Sequence, residues 1–329
     1  MYRLTRRITK FSALLVLFNV VGCSQNHSAP SDTSGGNGTG AVLQGEVKVH
    51  GSSTVYPISE AVAEEFSGKF PRVKVTVGQA GTGGGMKKLW QGDLDICDAS
   101  RPIKESERKL CEEKGVEFIE FEVAFDGLAV VVNPKNDWCD CLTVEQLKEI
   151  WRPDSPISNW SDLNPAWPQE EIELFGPGTD SGTFDYFTKA IVGEERSSRP
   201  DYTASEDDNM LVIGVHGNKY ALGYFGYAYY AENTDKLKLL AVDSGDGNCI
   251  QPSAKTVRDN TYKPLSRPLF IYVSKASLER PEVKEFVNFY LDSAAELATD
   301  VGYVPVSDEV AKKNREAFEA ATGTKIASQ

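Results

Sequence analysis

Three observations predict an α/β fold with largely parallel sheets. Segments that alternate apolar and polar residues recur between segments whose apolar residues fall at helical spacing. Two runs, 128–132 and 269–273, are continuously apolar, as strands buried on both faces are. Three of the turns leading from strand to helix are rich in Gly, Ser and Thr. At 329 residues, 40% hydrophobic and 25% charged, the chain has core enough for two domains.

The elements follow in order. Val47 and Val49 alternate with polar residues as a strand. After Ser52-Ser53-Thr54, the residues Val55, Ile58, Val62 and Phe66 make a helical stripe, with Glu60, Glu64 and Glu65 off it. Val73, Val75 and Val77 form the next strand. Gly81-Thr82-Gly83-Gly84-Gly85 reads as a loop leading into a helix over 86–91. Short strands are expected at 94–96 and 118–121, then the apolar strand at 128–132, broken by Asn133-Pro134-Lys135-Asn136-Asp137. Thr143 with Gln146 three residues on spells a capping box and opens a helix. A strand over 172–175 and helices over 183–191 and 208–215 come next; residues 205–209 read as a helix start with acids that suit its dipole. A polar loop over 244–263 precedes the apolar strand at 269–273, and helices over 281–300 and 308–322 close the chain.

The N-terminus reads as an export signal. Arg3, Arg6, Arg7 and Lys10 precede an apolar run of about eleven residues, short of the roughly twenty a spanning helix needs. Val20-Val21-Gly22-Cys23 resembles a bacterial lipobox, which implies that Cys23 becomes the first residue of the mature chain and carries lipid. Residues 24–44, poor in apolar side chains, read as a flexible tether reaching roughly 25 Å. An exported chain permits disulfides, but Cys97, Cys111, Cys139, Cys141 and Cys249 are odd in number; one bridge is expected, Cys141 with Cys249. The three histidines, His27, His50 and His216, are not grouped at ligand spacing, so no metal site and no cofactor are expected.

The formal net charge is −13, and loss of residues 1–22 removes four positive charges and no negative ones. That balance excludes a nucleic-acid binder, which needs a basic surface to neutralise phosphates. Taken naively, it also argues against any anionic ligand.

The three polar turns contest that second point. Ser52-Ser53-Thr54, Gly81–Gly85 and Ser181-Gly182-Thr183 each join an expected strand to an expected helix. At such junctions backbone N–H groups point outward unpaired and the helix dipole adds partial positive charge. Hydroxyls supply further donors, and glycine lets the backbone come close. One such turn is ordinary capping; three converging would surround a small tetrahedral oxyanion with neutral donors.

Rival motifs fit less well. The glycine cluster lacks Gly-Lys-Ser/Thr and has the wrong spacing for a dinucleotide fold. Asp180-Ser181-Gly182-Thr183 spells an aspartic-protease motif half-repeated at Asp243-Ser244-Gly245, but the first runs into a helix and the second lies in a polar loop. A hydrolase using Asp180 or Ser181 therefore stays a distant alternative. The aromatic run from Tyr224 to Tyr230 reads as core and rim packing ahead of a sugar platform.

Four segments together carry a resemblance: Gly51-Ser52-Ser53-Thr54-Val55-Tyr56-Pro57, Gly81-Thr82-Gly83-Gly84-Gly85, Asp95-Ile96-Cys97-Asp98-Ala99-Ser100-Arg101-Pro102, and Asp180-Ser181-Gly182-Thr183-Phe184. In this order they are similar to the PstS family, the phosphate-binding lipoproteins of bacterial phosphate ABC transporters. The resemblance implies a two-lobe periplasmic-binding-protein fold of type II, with two crossover strands and a ligand cleft between the lobes. It implies a signal peptide over 1–22, a lipid-anchored linker over 23–45, a first lobe of 46–130 plus 262–329, and a second of 131–261. It implies a monomer that performs no chemistry, binds inorganic phosphate outside the cytoplasmic membrane and hands it to permease subunits.

Carried onto this chain, the family's contacts fall on Ser53, Thr54, Thr82 and Ser100 from the first lobe, and on Ser181, Gly182 and Thr183 from the second. Two positions depart from the family pattern. Many members have an acid where Ser100 stands, which favours protonated phosphate over sulfate; some have an arginine where Pro177 stands. The first departure keeps another tetrahedral oxyanion, such as sulfate, as an alternative. Arg101 is expected either to restore the positive charge at the site or to pair with Glu105. Asp98, Asp126 and Asp207 stay open as the proton acceptor.

Overall fold

The structure is a computed structural model and describes residues 42–179 and 181–323. The expected export signal, Cys23 and most of the tether lie outside the described residues, as does Asp180.

The first half alternates strand and helix: β1 (Gly45–Gly51), α1 (Tyr56–Lys69), β2 (Val73–Gln79), α2 (Gly81–Gln91), β3 (Ile96–Ala99), α3 (Glu105–Glu113), then the long β4 (Phe118–Val132). The middle runs β5 (Cys141–Thr143), α4 (Val144–Trp151), α5 (Trp160–Leu163), β6 (Glu173–Pro177), α6 (Gly182–Phe187) with a π-helical turn after it (Thr188–Val192), β7 (Thr203–Ser205), α7 (Asp208–Gly217), β8 (Ala221–Gly226) and α8 (Tyr227–Ala231). The chain then makes β9 (Lys238–Leu239), β10 (Ala241–Asp243), β11 (Cys249–Ile250) and α9 (Ala254–Arg258). It returns on β12 (Ser266–Ser274) and ends with α10 (Pro281–Asp300), β13 (Val304–Pro305) and α11 (Asp308–Thr322).

Ten of these strands form two sheets that share β4, and β11-β10-β5 form a small third sheet. In the first the order is β2-β1-β3-β12-β4, with β13 also on β4; in the second it is β4-β8-β6-β7, with β9 on β4. The change of partner is abrupt. Gly127 pairs with Ser266 of β12, whereas Leu128 pairs with Gly226 of β8 and donates its N–H to Leu265 O at 2.9 Å. The outgoing and returning chains therefore cross side by side, which is the hinge of a type II fold. Each of the two sheets sharing β4 is covered on both faces. Val47, Ile58, Phe66, Ile271 and Phe286 pack on one side of the first, with Met86, Leu89 and Tyr272 on the other. Trp151, Phe187, Leu222 and Tyr224 pack on one side of the second, with Leu211, Val215 and Phe225 on the other.

Several expectations change. The sheets are mixed: β1, β2 and β3 are parallel, as are β6, β7 and β8, but β12 and β4 run antiparallel because one carries the chain out of the first lobe and the other brings it back. The strands expected at 118–121 and 128–132 are one strand of 15 residues. Asp126-Gly127 lies between the two expected pieces, and the carboxylate is accommodated inside the strand by an ion pair described below. The 244–263 segment is not wholly loop, since β11 and α9 lie in it. Cys141 and Cys249 are bonded, tying β5 to the β10–β11 hairpin across 108 residues of sequence, and Thr143 with Gln146 makes the capping box in both directions. Tyr224 is buried and stacks on Phe187 with ring centroids 3.6 Å apart, which makes it core.

Candidate functional site

In the first lobe the parallel strands end together. Gly51 is in register with Gln79 of β2 and Asp98 of β3, so the turns after all three leave one sheet edge, where ligands of open α/β sheets sit. Gly51 allows this: its φ is +154°, and a Cβ there would lie 2.1 Å from the Asp98 carbonyl oxygen. Ser52 N–H instead donates to that oxygen at 2.9 Å. Ser52 Oγ accepts the Thr54 N–H at 3.2 Å, which curls the turn and leaves Ser53 half-buried and Thr54 buried.

The glycine cluster is not a loop before a helix. Helix α2 begins at Gly81, so the glycines form its first turns. They are needed for packing, because a Cβ on Gly85 would come within 2.8 Å of Gly51 Cα, His50 O and Cys97 Sγ. Close approach to β1 and β3 brings Thr82 to the third turn, where its Oγ1 accepts the Ser100 N–H at 3.1 Å and lies 3.4 Å from Ser100 Oγ.

In the second lobe Ser181 caps α6, accepting the Thr183 N–H at 3.2 Å, so Gly182 occupies the first helical position with no intrahelical acceptor for its N–H. Arg196 donates to Thr179 O and lies 3.6 Å from Asp185, bracing the turn that leads to Ser181. This second-lobe turn faces the first: a Cβ on Gly182 would lie 3.3 Å from Thr54 Oγ1 and 3.6 Å from Thr54 Cα. Thr54 and Gly182, read from separate motifs, are therefore neighbours across the cleft.

The cation at this point is Arg267, a residue that sequence reasoning missed. Its Nη2 donates to Thr54 Oγ1 at 2.8 Å, and its Nη2 and Nε both reach Asp126 Oδ2, at 3.0 and 3.1 Å. A threonine oxygen that accepts from Arg267 keeps its own proton to donate elsewhere. Asp126 is almost fully buried; burial pushes its carboxyl above the ordinary range, against the pull of the Arg267 guanidinium. Asp126 Oδ1 takes no part in the pair. A signal for this pair was present: an acid between two apolar runs requires a buried partner, and Arg267 opens the apolar segment that returns beside it.

Arg101, expected either to restore charge to the site or to pair with Glu105, pairs with Glu107. Its Nη1 and Nη2 bond Glu107 Oε2 and Oε1, both at 2.8 Å, while Glu107 Oε2 also accepts the Lys104 N–H at 2.9 Å. Both prongs of the guanidinium are used in closing the start of α3, and the partner is Glu107, not Glu105, which lies 3.9 Å from Lys109.

The three open carboxylates also separate. Asp207 caps α7, accepting from Asn209 N at 3.0 Å and Nδ2 at 3.1 Å. Asp98 is fully buried behind the first turn; its Oδ1 accepts from Ser59 Oγ at 2.9 Å, and burial raises its carboxyl to about 7. Asp126 alone is joined through Arg267 to Thr54. As for the protease-like half-repeat, Asp243 Oδ1 accepts three N–H groups of its own loop, from Gly245, Asp246 and Gly247.

Two α/β lobes hinged on paired crossover strands, with polar turns meeting across the cleft, define a substrate-binding receptor of the type II periplasmic class. The comparisons make this specific. The chain matches the PBP superfamily domain over residues 26–294. It is 46% identical over 310 residues to Protein SphX of Synechocystis sp., covering 93% of this chain and 87% of that protein. It is 40% identical over 291 residues to the phosphate-binding protein PstS of Staphylococcus epidermidis, covering 88% of each. A solved structure described as a possible phosphate binding protein from Planctomyces limnophilus superposes with a TM-score of 0.81 at 50% identity, covering 85% of this chain and 99% of that one. The chain belongs to the PstS family.

Proposed function

We propose that this protein binds inorganic phosphate in the cleft between its lobes, outside the cytoplasmic membrane, and delivers it unchanged to an ABC transporter permease. The observation that carries the reading is the meeting of Thr54 and Gly182, from opposite lobes, beside the single guanidinium of Arg267. Phosphate would be held by hydroxyl and N–H donors of Ser53, Thr54, Thr82, Ser100, Ser181, Gly182 and Thr183, with Arg267 as the charge-assisted donor. Asp126, joined through Arg267 to Thr54, is assigned as the acceptor for a phosphate proton, the role by which the site would favour phosphate over sulfate although Ser100 is not an acid.

The lobes are taken as 46–130 plus 262–329 and 131–261, a division supported by the change of strand partner after Gly127. Among the described residues no helix is long and apolar enough to cross a membrane. Membrane attachment is assigned to lipid on Cys23 on the strength of the Val20-Val21-Gly22-Cys23 motif alone, with residues up to 45 as tether and a monomer as the working state.

Calorimetric titration of the phosphate-stripped protein with phosphate and with sulfate, from pH 5 to 9, tests the reading. Stoichiometric phosphate binding with much weaker sulfate binding is expected. A preference for sulfate at every pH would transfer the site to that ligand, and silence toward both would overturn the receptor reading.

A further inference from the structure

The helix that presents Gly182 also carries Tyr186, one turn further along. Tyr186 is 9% exposed, and its hydroxyl donates to Pro264 O at 2.6 Å, on the returning crossover. Its ring lies against the Arg267 guanidinium, with the central carbon 3.7 Å from the ring centroid. The guanidinium is thus constrained from two directions. Nε and Nη2 are fixed at the edge by Asp126 and Thr54, and one face is covered by an aromatic ring from the other lobe. Among the described residues these nitrogens make every hydrogen bond of Arg267, and Nη1 makes none.

We propose that Tyr186 is a positioning residue for phosphate: it holds the Arg267 guanidinium in the plane that presents Nη1 to the ligand, and so ties ligand retention to the packing of α6 against the first lobe. This rests on the phosphate reading above. The contact is chemically specific, because a cation above an aromatic face is attracted by the ring's electron density as well as packed by its area. Free rotation of Arg267 would cost orientation, and the cost would appear in how fast phosphate leaves.

The test separates ring electronics from ring volume. Tyr186 is replaced by phenylalanine and then by mono-, di- and trifluorophenylalanine, which fill nearly the same space while draining the ring face. Phosphate association and release are followed by stopped flow with a phosphate-sensing fluorophore. Phenylalanine should release phosphate within about threefold of wild type, and the series should release it progressively faster, by ~tenfold at trifluorophenylalanine, with association little changed. In an Arg267→Lys background the dependence on fluorine should shrink, since a compact ammonium does not stack as a guanidinium does. Tight wild-type binding with one release rate across the series overturns the role of Tyr186 alone. A wild type that takes up no phosphate overturns the functional reading and this one with it.

Discussion

Arginine 101 and arginine 267 show why a residue's neighbours in sequence are a poor guide to its partner. Arg101 follows Ser100 in a motif of the cleft edge, yet its guanidinium closes on Glu107. Arg267 lies far from every glycine-rich turn, yet it bonds Thr54. The turns of Thr54 and Gly182 were legible because capping chemistry is local, and Arg267 was not because its partners come from other strands. Asp98 carries a separate prediction at this scale. Its carboxyl rises from 3.8 to about 7 through burial, so the folded state holds its proton more tightly than the unfolded state. The resulting destabilisation is absent below about pH 4, grows as pH rises, and is complete above about 7. Asp98→Asn should match wild type near pH 4 and exceed its stability at pH 9 by roughly 1–3 kcal/mol in urea denaturation. A constant difference across that range would show that Asp98 does not titrate in this way.

Elements were legible where their ends are marked chemically. Helix α4 has its capping box, and α10 and α11 occupy the expected residues, 281–300 and 308–322. Two of the departures have plain physical causes. The two expected pieces of β4 are joined through Asp126, a charged residue that a buried strand holds only because Arg267 pairs with it. Helix α2 was started too late because a glycine run has the composition of a loop. There the glycines serve contact: Gly85 faces backbone at 2.8 Å, whereas a Cβ at Gly83 would meet nothing within 4 Å. The pair gives a prediction with opposite signs. Gly85→Ala should destabilise the protein by roughly 1–3 kcal/mol through overpacking, and weaken phosphate binding by displacing Thr82. Gly83→Ala should stabilise it by roughly 0.5–1 kcal/mol through helix propensity. Equal effects in chemical denaturation would mean that α2 does not pack on β1 as described.

For the whole molecule, a net charge of −13 coexists with a cleft built for an anion because the two act over different distances. The surface field is screened within about 10 Å at ordinary salt, while donors at the turns act at contact. Arg267 is already paired with Asp126, so the guanidinium has a counter-group before ligand enters. Phosphate affinity should therefore change less than about threefold between 20 and 500 mM sodium chloride; a steep loss with salt would indicate capture by long-range attraction. The lobed architecture itself came from the order of four motifs, since alternation of strands and helices alone gave only an α/β chain and no crossover. Arg267, placed by the crossovers, bonds Thr54 at the cleft, whereas Arg101, suggested by the motif, closes on Glu107. Calorimetric phosphate affinity of Arg267→Lys against Arg101→Lys tests this assignment most directly, since both variants keep the charge and lose the fork. A loss of about tenfold or more is expected for Arg267→Lys, and an affinity within about threefold of wild type for Arg101→Lys. Equal affinities, or a loss confined to Arg101→Lys, would contradict that assignment.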